Sequence, residues 1–186
     1  MSRPVCPHCR LPERTCLCAS VQPQPCPLPV IVLQHPMEAK HAKSTVPLLQ
    51  LALPGLERVV TEQMPAPPPP ASGGWWLLYP DAQAVDIDQA TPAGLGIGGL
   101  IVLDGTWRKT RLLRHLNPWL NTLPALSFSN APAGRYGIRK GPGGQALSTL
   151  ESVAHVLNRL TPAFNPDPLH HLLACRVAQF RAHGEN

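Results

Sequence analysis

The chain has 186 residues, of which 44% are hydrophobic and 15% charged, a composition that indicates one globular domain and excludes an intrinsically disordered chain. The net charge of +5 permits a polyanionic partner such as nucleic acid without requiring one. No apolar run is long enough to cross a bilayer, and the N-terminus lacks the apolar core of a secretory signal. We therefore expect a cytoplasmic protein with no membrane association, whose thiols stay reduced.

The first feature along the chain is a cysteine cluster, which comprises four of the six cysteines: Cys6, Cys9, Cys16 and Cys18. Two close pairs of thiolates can complete a tetrahedral Zn²⁺ site, and four protein ligands leave no position for water, as in structural sites. The alternatives are a redox cluster or a chance arrangement. A Pro- and Gln-rich stretch follows, so we divide the chain into a zinc knuckle with its linker (residues 1–28) and a main domain (residues 29–186).

Short apolar runs of strand length recur through the main domain, at residues 29–34, 58–61, 75–79, 99–104 and 124–128. Helical patterns lie between and after them. Ser44 or Thr45 can cap a helix that ends near Pro54, and another helix runs from Thr106 to Leu116. Ser148 and Glu151 form a capping box that opens a third helix, and a last helix covers residues 168–182.

Alternating strands and helices predict an α/β domain with a mostly parallel sheet. Ligands bind such sheets at the carboxyl ends of the strands, so we expect the chemistry in the loops that begin at Gln34, Tyr79, Asp104 and Phe128.

The loop after the fourth run, Asp104-Gly-Thr-Trp107, combines a carboxylate at a strand end, a glycine for the turn and a hydroxyl at a helix start. This combination suits a ligand site, but an Asp and a Thr at this place equally suit a simple helix cap. Arg108, Arg111 and His115 then share one helical face. That face is either a contact for RNA phosphates or an ordinary solvated surface.

Taken together and in this order, several motifs resemble the DTW-domain family from Cys6 to about Leu160. Besides the cysteine cluster, they are Gln34-His-Pro-Met-Glu38, Leu78-Tyr-Pro-Asp-Ala-Gln-Ala84, Leu103-Asp-Gly-Thr-Trp107, Tyr136-Gly-Ile-Arg-Lys140 and Leu147-Ser-Thr-Leu-Glu-Ser-Val-Ala154. The resemblance implies a SPOUT-like fold, an α/β sheet with a C-terminal trefoil knot, and makes residues 29–186 the catalytic domain.

The resemblance further implies transfer of the 3-amino-3-carboxypropyl group of S-adenosylmethionine to N3 of a uridine in tRNA, with release of methylthioadenosine. No obligate protein partner is expected. Two alternatives stay open: an S-adenosylmethionine-dependent RNA methyltransferase, and a zinc-containing RNA-binding adaptor without catalysis. The by-product separates the first alternative, because a methyltransferase releases adenosylhomocysteine.

The transfer needs a group that accepts the N3 proton or orients the ligands, and Asp104 is the first candidate. His35 and Glu38 are second candidates, although His35 could equally be a loop histidine that caps backbone. Residues expected near the cofactor are Leu33, Tyr79, Leu103, Thr106, Trp107, Leu126, Ile138 and Ser148. Residues expected to contact RNA are Arg108, Arg111, Arg114, Arg135, Arg139 and Lys140.

Overall fold

The computed structural model describes residues 4–134 and 147–184. Within them, a six-stranded sheet has the order β2-β1-β5-β3-β6-β4. Its strands are β1 (Val30–Gln34), β2 (Glu57–Val60), β3 (Gly74–Leu78), β4 (Val85–Asp86), β5 (Ile97–Asp104) and β6 (Ala125–Ser127). All pairings between these strands are parallel, which confirms the predicted α/β class. The prediction missed β4, because its two residues are too short to show a pattern.

The α-helices are α1 (Pro36–Ala39), α2 (Val46–Ala52), α3 (Trp107–Leu116), α4 (Thr149–Leu160) and α5 (Asp167–Gly184). Short 3₁₀ turns cover Glu13–Thr15, Cys18–Ser20 and Pro118–Thr122. The sequence predicted all of the α-helices except α1, a single turn that follows His35. The capping box of Ser148 and Glu151 is confirmed at the start of α4.

Two predicted helix caps, Ser44 or Thr45 for α2 and Thr106 for α3, are confirmed in position, at Thr45 and Thr106, but not in their side-chain bonds. Thr45 precedes α2 but makes no side-chain capping bond to it. Its Oγ1 accepts instead from the backbone N–H of Leu150, at 3.3 Å, and so caps α4 from a distant segment. The hydroxyl of Thr106 likewise makes no capping bond at the start of α3. Position next to a helix predicts where a cap is possible, whereas tertiary packing decides which groups meet.

The helices divide between the two faces of the sheet. Alternate residues of β1 and β5, such as Val32 and Leu100, pack with α2, α4 and α5 in one buried cluster. The intervening residues, such as Leu33 and Ile101, pack with α3 in a second cluster. The neighbouring strands β1 and β5 therefore lead to helices on opposite faces. Such a switch opens a crevice at the carboxyl ends of the two strands, where ligands bind in open α/β sheets.

The cysteine segment, which we define as residues 4–20, packs on the main domain through Leu17. That side chain is 2% exposed and belongs to the larger core cluster. No described helix is both long and apolar enough to span a bilayer. The predicted SPOUT-like fold with its C-terminal knot stays a prediction, and residues 135–146 lie outside the described residues.

Candidate active site and metal centre

Asp104 lies at the crevice between β1 and β5. It is the last residue of β5, pairs with the last residue of β1, Gln34, and is 3% exposed. Its Oδ2 accepts from Nε2 of Gln34 at 2.7 Å. Its Oδ1 accepts from the hydroxyl of Thr149, the first residue of α4. The carboxylate therefore joins β1, β5 and the start of α4 at one point.

The orientation of Gln34 follows from its other partner. Its Oε1 accepts from Nε of Arg58 at 2.8 Å. A guanidinium group can only donate hydrogen bonds, so the Gln34 carbonyl must face Arg58 and its amide nitrogen must face Asp104. Burial lowers the pKa of Arg58, an effect that the charge of Asp104 opposes. Hydrogen bonds thus link the Arg58 guanidinium to the Gln34 amide, and the Gln34 amide to the Asp104 carboxylate.

His35 is held by contacts on both ring nitrogens. Nδ1 accepts from the backbone N–H of Met37 at 3.2 Å and so caps α1. The ring proton then resides on Nε2, which lies 3.1 Å from Oε1 of Glu62 and donates to it. The structure thus bears out the backbone-capping alternative for His35. A contact of this buried ring with cofactor or RNA stays a prediction.

Glu38, the other second candidate, is committed to a buried ion pair. Its Oε1 lies 2.7 Å from Nζ of Lys109 on α3, and its side chain is 4% exposed. The pair ties α1 to α3 across Gly105, where an added Cβ would lie 3.0 Å from Cβ of Lys109. Such a contact is tighter than side chains tolerate without a shift, so glycine at this turn leaves room for the Lys109 side chain that pairs with Glu38. Glu38 holds the rim of the crevice together.

An aromatic pair forms the rim beside Asp104. The Trp107 side chain is 53% exposed, and its ring centroid lies 6.0 Å from that of Tyr79, nearly perpendicular to it. The Arg114 guanidinium lies over the Tyr79 ring, 4.6 Å from its centroid, and Nη1 of Arg114 is 3.0 Å from Oδ2 of Asp81. The hydrogen bond from Arg114 lowers the pKa of Asp81. Tyr79 is therefore held by two partners, whereas about half of the Trp107 surface is exposed.

The other predicted cofactor residues differ in their access to the crevice. Leu33 and Leu126 are fully buried in the sheet, and the Ser148 side chain is used by the capping box. Leu103 is 9% exposed, and Thr106 is exposed at the turn. The structure brings Tyr79, Leu103, Thr106 and Trp107 together around Asp104 through strand pairing and chain continuity.

Of the predicted RNA contacts, Arg108 and Arg111 are exposed on α3. Arg114 contacts Asp81, the Tyr79 ring and Asn121. Its Nε donates to Oδ1 of Asn121 at 2.9 Å. The remaining predictions lie outside the described residues: Arg135, Arg139 and Lys140 for RNA, and Ile138 for the cofactor.

Sequence reasoning missed three residues that fix Asp104: Gln34, Arg58 and Thr149. A signal for Gln34 was present, because a polar residue ends an otherwise apolar strand opposite the Asp104 loop. Arg58 and Thr149 carried no local signal. Arg58 acts on Asp104 through Gln34 because β2 pairs with β1, and Thr149 contacts Asp104 because α4 begins at the same edge of the sheet.

The four predicted cysteines form a cluster able to hold a metal ion, with all four sulfur atoms within 4.8 Å of one another. The Cys6–Cys18 and Cys9–Cys16 sulfur atoms are both 3.7 Å apart. A tetrahedral zinc ion with bonds of about 2.3 Å sets its sulfur ligands about 3.8 Å apart, so the cluster has the right size.

The backbone around the first pair supports the same chemistry. Arg10 adopts a left-handed φ of 59°, and its N–H donates to the Cys6 carbonyl at 3.0 Å, which closes a tight turn. Hydrogen bonds from the backbone of Cys9 and His8 lower the pKa of Cys6 to about 6. These contacts favour the thiolate, which is the form that binds metals.

Comparison with known proteins gives a match over nearly the whole chain, because the family model described as DTW domain covers residues 3–181. The chain is 27% identical over 169 residues to tRNA-uridine aminocarboxypropyltransferase 2 of Mus musculus, which covers 85% of this chain and 57% of the relative. The protein of that name from Drosophila melanogaster is 28% identical over 163 residues, with 82% of this chain and 64% of the relative covered. The chain thus spans less than two thirds of the length of these relatives. No solved structure matches it.

Proposed function

The chain belongs to the DTW domain family, and from this premise we propose that it transfers the 3-amino-3-carboxypropyl group of S-adenosylmethionine to N3 of a uridine in tRNA. The relatives named tRNA-uridine aminocarboxypropyltransferase 2 support this reaction class. The observation that carries the proposal is the fixed carboxylate of Asp104, which lies in the crevice between β1 and β5 beside an exposed indole.

The reaction requires uracil N3 to lose its proton and to form a bond to the first carbon of the aminocarboxypropyl chain. The bond from that carbon to sulfur breaks, its electron pair stays on sulfur, and methylthioadenosine leaves. S-adenosylmethionine supplies the activated carbon through its sulfonium charge. The chain has to place uracil, exclude competing attack on the methyl carbon and receive the proton.

We assign proton acceptance to Asp104. Each of its oxygens accepts one hydrogen bond in the structure, from Gln34 and Thr149, which leaves a further lone pair on each oxygen. The two donors fix the direction of the carboxylate, and burial keeps bulk water away. A positioned base of this kind contributes a factor of roughly 10² to 10⁴ in rate. The competing role is orientation of the cofactor amine or the uracil edge.

We place the cofactor against the aromatic pair. An adenine ring can stack on the exposed indole of Trp107, or a sulfonium can lie over it, and Tyr79 packs against this indole nearly at a right angle. If the fold is SPOUT-like, as the resemblance implies, the adenosine lies near Leu103 and the loops toward α4, with apolar side chains around the ring. Arg108 and Arg111 then contact tRNA phosphates beside the crevice, together with Arg135, Arg139 and Lys140.

We propose that the metal of the cysteine cluster is one structural Zn²⁺ ion. Four sulfur ligands complete a tetrahedron and leave no position for a reacting water, so the ion takes no part in the transfer. Its function is to fold the cysteine segment and to keep Leu17 packed on the main domain.

Mass spectrometry of nucleosides tests the proposal. Unmodified tRNA is incubated with the protein and S-adenosylmethionine, digested and compared with a reaction that contains the Asp104→Ala variant. We expect 3-amino-3-carboxypropyl uridine and methylthioadenosine in the wild-type reaction but not in the Asp104→Ala reaction. A methylated nucleoside with adenosylhomocysteine would establish a methyltransferase. Binding of tRNA with neither product would leave the zinc-containing RNA-binding adaptor.

A further inference from the structure

A further buried carboxylate, Asp88, contacts α4 beyond the Thr149 contact with Asp104, at His155 and Arg159. It follows β4, and its side chain is 8% exposed. Its Oδ2 accepts from the backbone N–H groups of Ser129 and Asn130, at 3.1 and 2.8 Å. Its Oδ1 lies 2.9 Å from Nε2 of His155 and 3.3 Å from Nε of Arg159, both on α4. One carboxylate thus joins the segment after β6 to α4.

Both ends of this connection lead to the candidate active site. The segment 128–130 continues from β6, whose Leu126 carbonyl accepts from the Tyr79 N–H at 3.0 Å, and the Tyr79 ring supports Trp107. The helix α4 begins at Thr149, whose hydroxyl donates to Asp104. Asp88 therefore sets the distance between the carboxyl end of β6 and the helix that holds the proposed base.

The number of hydrogen-bond donors around Asp88 indicates that this carboxylate holds the segment after β6 in a defined position on α4. Burial of a carboxylate is costly unless charges and hydrogen bonds compensate it, and Asp88 receives donors from two backbone amides and two side chains. Phe128 packs edge-on against the His155 ring at 5.3 Å between centroids, which fixes the same segment from its apolar side. The carboxyl end of β6 is thereby held in one conformation on α4.

We propose that Asp88 is a positioning residue, which holds the segment 128–130 in the conformation that receives the adenosine part of S-adenosylmethionine. The inference rests on the proposed function, because it concerns the binding of that cosubstrate. Asp88 touches neither the cofactor nor the RNA. It acts through the backbone of Ser129 and Asn130 and through α4.

The Asp88→Asn variant tests this inference. With its oxygen toward the two backbone N–H groups, the Asn amide NH₂ faces His155 and Arg159; the guanidinium cannot accept, and His155 can accept only by changing tautomer, so the charge-assisted bonds of Asp88 are lost. Calorimetric titration with S-adenosylmethionine alone, without RNA, should show an affinity about tenfold lower than wild type, the size of one lost charge-assisted bond. The amides of Ser129 and Asn130 should exchange hydrogen faster, and Asp88→Glu should restore part of the affinity. The matched control is Asp167→Asn, which removes an exposed carboxylate from the first turn of α5.

Separate outcomes distinguish the inference from the proposed function. A wild-type chain that binds no S-adenosylmethionine overturns the proposed function and the inference with it. A wild-type chain that binds while folded Asp88→Asn binds equally well overturns the inference alone, even if the variant melts earlier. If Asp88→Asn does not fold, Arg159→Gln removes one partner from a half-exposed position. That variant should bind S-adenosylmethionine several-fold more weakly than wild type, and unchanged binding overturns the inference.

Discussion

The cysteine cluster and the Asp104 site are built in opposite ways. All four sulfur ligands come from one short segment and meet through local turns. The Asp104 site is assembled from β1, β2, β5 and α4, which are distant in the chain and adjacent only in the folded sheet. The cluster can therefore be identified from spacing. Of the Asp104 site, only the carboxylate itself can be identified in this way, because its partners depend on the order of the strands.

The comparison also predicts that substitutions affect the cysteine segment and the Asp104 site differently. The cysteine segment contributes Leu17 to the larger core cluster, and we expect its own turns to depend on the proposed zinc ion. The residues around Asp104 rest on a sheet that is packed on both faces, so changes there should alter chemistry more than folding.

Loss of the metal should have the largest effect. Cys9→Ser removes a buried ligand, and structural zinc contributes roughly 10 to 16 kcal/mol of apparent binding energy to the folding of small sites. We expect zinc content to fall from about one ion per chain to nearly none, and amides in the cysteine segment to lose protection from exchange. Elemental analysis and hydrogen exchange measure both. Cys175→Ser, outside the cluster, is the control, and a metal-free wild-type protein with a fully folded segment would contradict the prediction.

The next effect is on catalysis. In Asp104→Asn, the Asn oxygen can still accept from Gln34, and the Thr149 hydroxyl can turn to accept from the Asn amide, so the network survives without its charge. If Asp104 accepts the proton, single-turnover transfer should fall by roughly 10² or more, with partial recovery at high pH as N3 ionises in solution. Asp104→Ala should be about as inactive. An Asn variant within a few-fold of wild type would leave Asp104 with an orienting role only.

A smaller effect is expected at the start of α4. Thr149→Val removes the hydroxyl that orients Oδ1 of Asp104, and loss of a bond to a charged group should slow transfer by about tenfold. Thr149→Ser keeps the hydroxyl and should transfer at close to the wild-type rate. Equal rates for the Val and Ser variants would show that this contact does not support catalysis.

The smallest effect concerns the rim. Arg114→Met removes the hydrogen bond that lowers the pKa of Asp81, so that pKa should rise toward its ordinary value of about 3.9. In the wild-type protein, the stability from this pair is present above the unfolded pKa and is lost as pH falls through the lower folded pKa. The free energies of unfolding of wild type and variant should therefore differ slightly at neutral pH and become equal in acid. NMR titration of the Asp81 carboxyl measures its pKa, and urea unfolding at several pH values measures the stability. Arg111→Met is the control. An Asp81 pKa that is the same in Arg114→Met and wild type would contradict the prediction.

The sequence predicted those features whose cause is local. Apolar runs gave five of the six strands in the sheet, and the Ser148–Glu151 spacing gave a capping box that the structure confirms. It failed where a side chain had a choice of partners. Chain position points to Ser44 or Thr45 as the cap of α2 and to Thr106 as the cap of α3, yet the Thr45 hydroxyl accepts from α4, and the Thr106 hydroxyl makes no capping bond. The role of Asp88 could not be predicted from the sequence because its partners lie far along the chain, on α4 and after β6.

Parallel reactions with differently labelled S-adenosylmethionine test the central claim most directly. One sample carries the isotope in the aminocarboxypropyl chain and the other in the methyl group, and each is incubated with unmodified tRNA and with either wild-type protein or Asp104→Asn. The account predicts that label enters tRNA from the aminocarboxypropyl sample only, at N3 of uridine, and that Asp104→Asn transfers it roughly 10²-fold more slowly. Label entering tRNA from the methyl sample, or no transfer by wild-type protein that binds both ligands, would contradict it.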